Sequence, residues 1–258
     1  MTLDTAVEPF SAPARPELSS SADRVGILLA HGFTGSPASL RPWGQYLAGE
    51  GYAVEVPRLP GHGTTWQEMN ATGWDDWYAE VVRAFDKLVA ENDQVVVAGL
   101  SMGGALALKL AAERPDDVRG VILVNPAVTS KNKQLLAVPV AKHVLKSMPG
   151  IGNDIKKPGA DEHCYDRIPL RALASFMAAW KPLRSTMADV RGPLLLFRSA
   201  EDHVVDPSSA ALIMDTVASR DVRERMLTDS FHVATIDNDA PAIFEESLAF
   251  VRQVTATD

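Results

Sequence analysis

Six short apolar runs alternate along this chain with longer stretches of helical periodicity, and that alternation constrains the fold more than any other feature. The runs are VGILLA (25–30), AVEVP (53–57), QVVVAG (94–99), GVILVN (120–125), PLLLFRS (193–199) and VRERMLT (222–228). Helical patterns fall near 39–50, 74–91, 102–114, 207–219 and 240–254. Strands joined through helices run parallel, because the chain must cross back over the sheet before it can start the next strand. Most of the runs are apolar without interruption, as strands covered on both faces are. The pattern therefore predicts an α/β fold, with a mostly parallel central sheet flanked by helices.

One interval breaks the alternation. Between Asn125 and Pro193 no strand is evident, although connections in such folds usually take only a few residues. QLLAVPVAKHVLKSMPGIG and LRALASFMAAWKPL read as apolar, helical material inserted into the sheet. The expected organisation is a loose leader over 1–24, a core over 25–126 and 190–258, and a helical insertion over 127–189. Such an insertion can pack on itself, or it can form an apolar wall over a site at the strand ends.

A formal net charge of -8 opposes phosphate backbones and anionic lipid, so nucleic-acid binding and a polybasic anchor are not expected. Cys164 is alone, so no intrachain disulfide can form. The first 24 residues lack the basic start and apolar stretch of a signal peptide, and no run reaches the length of a membrane span. These features lead to the expectation of a cytoplasmic protein.

GLSMG (99–103) places Ser101 where the strand QVVVAG meets the helical pattern ALALKLAAERP. A nucleophile at such an elbow sits in strained backbone, and the flanking Gly99 and Gly103, lacking Cβ, let strand and helix approach. The amide of Met102 then lies at the positive end of the helix, where a developing oxyanion is stabilised. A serine hydroxyl needs a base to take its proton and an acid to orient that base. In an elbow of this kind both follow the serine in the chain, acid first.

Asp202, after PLLLFRS, is the expected acid, with Glu201 and Asp206 as lesser candidates, and His232, after VRERMLT, is the expected base. His203 adjoins Asp202 and reads as an ordinary loop histidine. HGFTGSP (31–37) offers the amide of Phe33 as a second oxyanion donor, with His31 as a supporting or core residue. His62, in PRLPGHG, reads as part of the wall of the site, since no other metal-ligating side chain stands nearby at ligand spacing.

Taken together, HGFTGSP, PRLPGHG, GLSMGG, EDHVV and FHVATID resemble the α/β-hydrolase superfamily, and within it the bacterial monoacylglycerol lipase and small carboxylesterase family. The likeness runs from about Val25 to Val251. It implies Ser101, Asp202 and His232 as the catalytic set, and the amides of Phe33 and Met102 as the oxyanion hole. It implies a helical cap inserted after the strand GVILVN, counted as the sixth strand. It also implies hydrolysis of medium- or long-chain esters through an acyl-enzyme, with no cofactor and no metal. Glu162 is similar in position to the acid that contacts glycerol in the lipases, and Leu145, Met148, Ile151, Phe176 and Met177 are expected to line the acyl tunnel.

The expected partner is a small ester such as a monoacylglycerol, with at most transient membrane contact through the cap. A short-chain or xenobiotic carboxylesterase, or a thioesterase or acyltransferase, would use the same three side chains. A ligand-binding receptor with little turnover could keep them. Serine rather than aspartate at position 101 argues against dehalogenase or epoxide-hydrolase chemistry.

Overall fold

The computed structural model describes residues 5–18 and 23–256. The strands are β1 (Phe10–Ala12), β2 (Val25–Ala30), β3 (Ala53–Val56), β4 (Gln94–Leu100), β5 (Val118–Val124), β6 (Ser147–Pro149), β7 (Arg167–Pro169), β8 (Leu194–Ser199) and β9 (Val222–Leu227). The helices are α1 (Arg41–Gly49), α2 (Trp66–Met69), α3 (Trp74–Glu91), α4 (Met102–Glu113), α5 (Val138–Ala141), α6 (Leu170–Thr186), α7 (Ser208–Thr216) and α8 (Ala240–Val254). Seven strands form the central sheet in the order β1-β3-β2-β4-β5-β8-β9. All its pairings are parallel except β1 with β3.

The apolar runs are continuous because each strand feeds two cores with its alternate residues. Leu28, Val95, Val97, Leu194 and Leu196 pack on the face covered by α3, α4 and α6. Ile27, Leu29, Val96, Leu195 and Phe197 pack on the face covered by α1 and α8. Register brings the carboxyl ends of the central strands to one edge: Ala30 pairs Gly99, Leu100 pairs Val124, Val124 pairs Phe197, and Ser199 pairs Leu227. The connections that leave this edge are the ones that carry every expected catalytic side chain.

Three features depart from the sequence reading. Phe10–Ala12, assigned to a loose leader, is the antiparallel edge strand, paired from Phe10↔Val56 to Ala12↔Val54. The insertion follows β5 as expected. However, β5 is the fifth strand among the described residues rather than the sixth, because residues 5–18 supply a single short strand before β2. The segment QLLAVPVAKHVLKSMPGIG is mostly not α-helical. A 3₁₀ turn, Lys133–Ala137, and the four-residue α5 lead into β6, which pairs with β7 as a separate antiparallel ribbon. Pro139, Pro149, Gly150 and Gly152 explain this, since proline removes helical donors and glycine lowers helix stability. LRALASFMAAWKPL does form a long helix, α6, which packs Leu173, Phe176 and Leu183 inward.

Candidate active site

Ser101 ends β4 at φ 56° and ψ -117°, a conformation that only a handful of non-glycine residues adopt and that stores roughly 1–3 kcal/mol of strain. Packing enforces it. A Cβ on Gly103 would overlap the carbonyl of Ala30, and one on Gly99 would overlap the backbone of Gly103. The Ser101 amide donates to Val124 O at 2.9 Å, and its carbonyl accepts from Ala127 N at 3.1 Å, so β5 holds the elbow from behind. The Met102 amide opens α4, where no carbonyl of the helix itself can reach it. Gly32 lies beside the serine: a Cβ there would stand 3.9 Å from Ser101 Oγ.

Asp202 and His232 leave β8 and β9 and meet, with Asp202 Oδ2 2.8 Å from His232 Nδ1. The other carboxylate oxygen of Asp202 accepts from the amides of Val204 (2.9 Å) and Val205 (2.8 Å), which fixes its orientation. With Nδ1 donating to Asp202, Nε2 of His232 is the nitrogen left to accept a proton. Burial pulls the His232 imidazole down, but the Asp202 carboxylate, with Glu162 and Asp154 behind it, outweighs burial and leaves the group above its ordinary value. Burial alone would raise the Asp202 carboxyl. The His232 charge and the hydrogen bonds from His232, Val205 and Val204 reverse that and hold it below the usual range.

The lesser acid candidates are engaged elsewhere. Glu201 faces His203 Nε2 at 3.4 Å, and Asp206 accepts from Lys131 N and Ser208 N at the start of α7. His203 donates from Nδ1 to Asp154 at 2.7 Å. His31 is fully buried. Leu59 N donates to its Nε2 at 3.2 Å, so its proton sits on Nδ1 and points at Gly32 O, 3.0 Å away. Burial, opposed only by that carbonyl, brings its pKa down to about 4. It is a neutral pin under the loop of Phe33. His62, expected in the wall of the site, is instead buried beneath it, its ring 5.0 Å from that of His31.

Two chambers meet at the serine. The smaller, about 110 Å³, is lined by Ser101, His232, Phe33, Asp154, Glu162 and Tyr165 among others. Removal from water raises the Glu162 carboxyl in it, partly countered by His232. The larger, about 370 Å³ and mostly apolar, also opens on Ser101 and Phe33. Of the residues singled out from sequence, Met148, Ile151 and Phe176 line it. Leu145 does not line it, being 54% exposed on a segment that is not helical, and Met177 is turned toward Val138 and Leu173 by the pitch of α6. Leu135, Val138, Ile168, Leu173, Trp180 and Val205 line the chamber without having been singled out from sequence.

Sequence reasoning also missed Asn125. It sits at φ 44° and donates to Ser199 Oγ (2.9 Å) and His232 O (2.8 Å), while its own Oδ1 accepts from Ser199 N, so one side chain ties the end of β8 and the His232 loop to the elbow. Asp154 and Asp237 were missed as well. The Asn-Pro pair after β5 was a visible turn signal for Asn125; the two aspartates had none.

The chain is similar to known proteins along most of its length. A family model described as "Serine aminopeptidase, S33" matches residues 22–239. A thermostable monoacylglycerol lipase of Bacillus sp. (strain H-257) is 36% identical over 247 residues, covering 94% of this chain and 93% of the relative. A carboxylesterase of Bacillus subtilis (strain 168) is 24% identical, covering 88% and 92%. A solved structure from a study of the metagenome-derived lipolytic enzymes LipS and LipT superposes with a TM-score of 0.90 at 38% identity, over 96% of this chain and 98% of its own. On this likeness along nearly its whole length, the chain belongs to the α/β-hydrolase superfamily, in the family of monoacylglycerol lipases and carboxylesterases.

Proposed function

We propose that the protein is a serine ester hydrolase that cleaves monoacylglycerols or similar medium- and long-chain esters. The observation that carries this reading is the pair of unequal chambers joined at Ser101. The smaller holds a carboxyl group suited to hydroxyls, and the larger is an apolar space suited to an acyl chain. Ser101, losing its proton to His232, attacks the ester carbonyl, and the amides of Phe33 and Met102 receive the oxyanion. His232 returns the proton to the departing alcohol. Water, deprotonated by the same imidazole, then releases the acid from the acyl-serine.

Residues 127–189 act as the cap that closes both chambers, and Glu162 on this cap accepts a hydroxyl of the alcohol. Glu162→Gln is expected to lower kcat/KM on a monoacylglycerol about tenfold while leaving a p-nitrophenyl ester nearly unchanged, the size of one hydrogen bond to a charged group. The companion experiment is a panel of mono-, di- and triacylglycerols and short simple esters. Preference for the monoacylglycerols supports the reading. Equal rates on short simple esters favour a general carboxylesterase, and a single turnover that then stops favours a receptor.

The rim of the larger chamber is suited to lipid. Leu136, Val140, Val144, Leu145 and Ile151 are each more than half exposed there. Residues 125–153 carry Lys131, Lys133, Lys142 and Lys146 and no acidic residue, in a chain of net charge -8. None of the described helices is long and apolar enough to cross a membrane. Contact would therefore be at the surface. Co-sedimentation with vesicles should be stronger with anionic than with neutral lipid and should weaken in Leu136→Asp with Val144→Asp. No binding to either vesicle would remove this contact from the account.

A further inference from the structure

The segment 153–157 of the insertion and the loop that carries His232 exchange carboxylates. Asp154, 7% exposed, reaches from the insertion: its Oδ2 accepts the His232 amide at 3.1 Å and the His203 amide at 3.2 Å, its Oδ1 accepts His203 Nδ1 at 2.7 Å, and its carbonyl accepts Val233 N at 3.1 Å. Asp237 reaches back: its two oxygens accept Lys156 N at 2.7 Å and Lys157 N at 2.8 Å, together with Phe231 N at 2.9 Å. Outside this clasp, Lys156 Nζ pairs with Asp229 at 2.9 Å.

A buried carboxylate is costly unless it is fully bonded. Asp154 is bonded on both oxygens, yet it also lines the chamber it shares with Ser101 and Glu162. Joining two loops would not need a charge at that place. We infer that Asp154 is a positioning residue for His232, holding the main chain of the base in place and tying it to the segment that walls the alcohol chamber. This deepens the hydrolase reading and rests on it for the role of His232.

Asp154 is also one of three carboxylates around His232, with Asp202 from the β8 loop and Glu162 from the insertion. His203, itself facing Glu201, is the one imidazole bonded to the side chain of Asp154 among the described residues. Its protonated form offsets the negative charge of Asp154. Segment 153–157 cannot swing away without breaking both halves of the clasp.

The test is an NMR titration of the His232 imidazole, read alongside kcat and KM on a short p-nitrophenyl ester. In Asp154→Asn the His232 midpoint should fall, and kcat should drop about tenfold with KM little changed, because the base is misplaced while the ester pocket remains. In His203→Gln, which removes the cation facing Asp154, the midpoint should move upward instead. Asp237→Asn should lower the melting temperature with a smaller change in midpoint. A wild-type midpoint in both Asp154→Asn and His203→Gln would overturn the inference, and so would equal losses of melting temperature and kcat in Asp154→Asn with no midpoint change. If Asp154→Asn does not fold, the upward shift in His203→Gln decides the matter alone. The titration does not depend on turnover, so wild-type protein that cleaves no ester would refute the hydrolase reading separately.

Discussion

Ser101→Ala is expected to lower kcat on a p-nitrophenyl ester by about 10⁵ to 10⁶, with the melting temperature unchanged or raised. The size follows from the serine's place in the site. Ser101 lies where the two chambers meet, and on the proposed mechanism its hydroxyl is the nucleophile, so the amides and binding surfaces that remain would provide only a residual rate. Stability should not fall, because Ser101 Oγ makes no hydrogen bond to another described side chain and the elbow is held through the serine's own amide and carbonyl. Alanine also tolerates the strained backbone no worse than serine does. His232→Ala should approach the same loss and Asp202→Asn should fall somewhat short of it, as is usual when the acid only orients and charges the base. Steady-state kinetics with thermal melts check all three; a Ser101→Ala protein that melts normally and keeps most of its activity would move the nucleophile elsewhere.

Gly103→Ala is expected to have the largest effect on stability, destabilising the protein by more than about 4 kcal/mol, or roughly 10 °C or more in melting temperature. The added methyl would overlap the carbonyl of Ala30, and behind that lies the carbonyl of His31. Both are backbone atoms of the strand and loop that lead to Phe33, so neither can rotate aside as a side chain would. Helix α4 would have to lift from β2, opening the core around Leu28, Ala105 and Leu106. An exposed control, Gly49→Ala, meets nothing within 4 Å and should be nearly neutral. Chemical denaturation of the two variants checks the difference; a Gly103→Ala protein as stable as wild type would mean that strand and helix are not packed this closely.

These two variants mark what the sequence made legible. The elbow could be read because its requirements are local: a strand, two residues without Cβ and a helix, all within a dozen positions. Long, strongly periodic helices could be read to the residue, as with 74–91 and 240–254, since an amphipathic stripe and its ends are written in consecutive side chains. Chain order pointed to Asp202 and His232, the two side chains that pair in the structure. What could not be read is set by contacts across the chain. Phe10–Ala12 is a strand only because β3 offers it an edge. Asp154 finds the His232 amide, and Asp237 the amides of Lys156 and Lys157, only once the insertion has docked, and nothing in GIGND announces a clasp. Leu145 and Met177 were chosen for composition. The direction in which each side chain points depends on where α6 sits and on the break of helix at Pro139 and Pro149, which composition does not contain.

The central claim is that an acyl group passes through Ser101 with His232 as the base. Rapid-quench mass spectrometry of the protein, mixed with a slowly deacylating p-nitrophenyl ester and digested, tests it most directly. The account predicts a mass increase of one acyl group on the peptide that contains Ser101, formed within the first turnover, absent in Ser101→Ala and much slower to form in His232→Ala. Turnover with the acyl group on another residue, or with no covalent intermediate at any time, would contradict it.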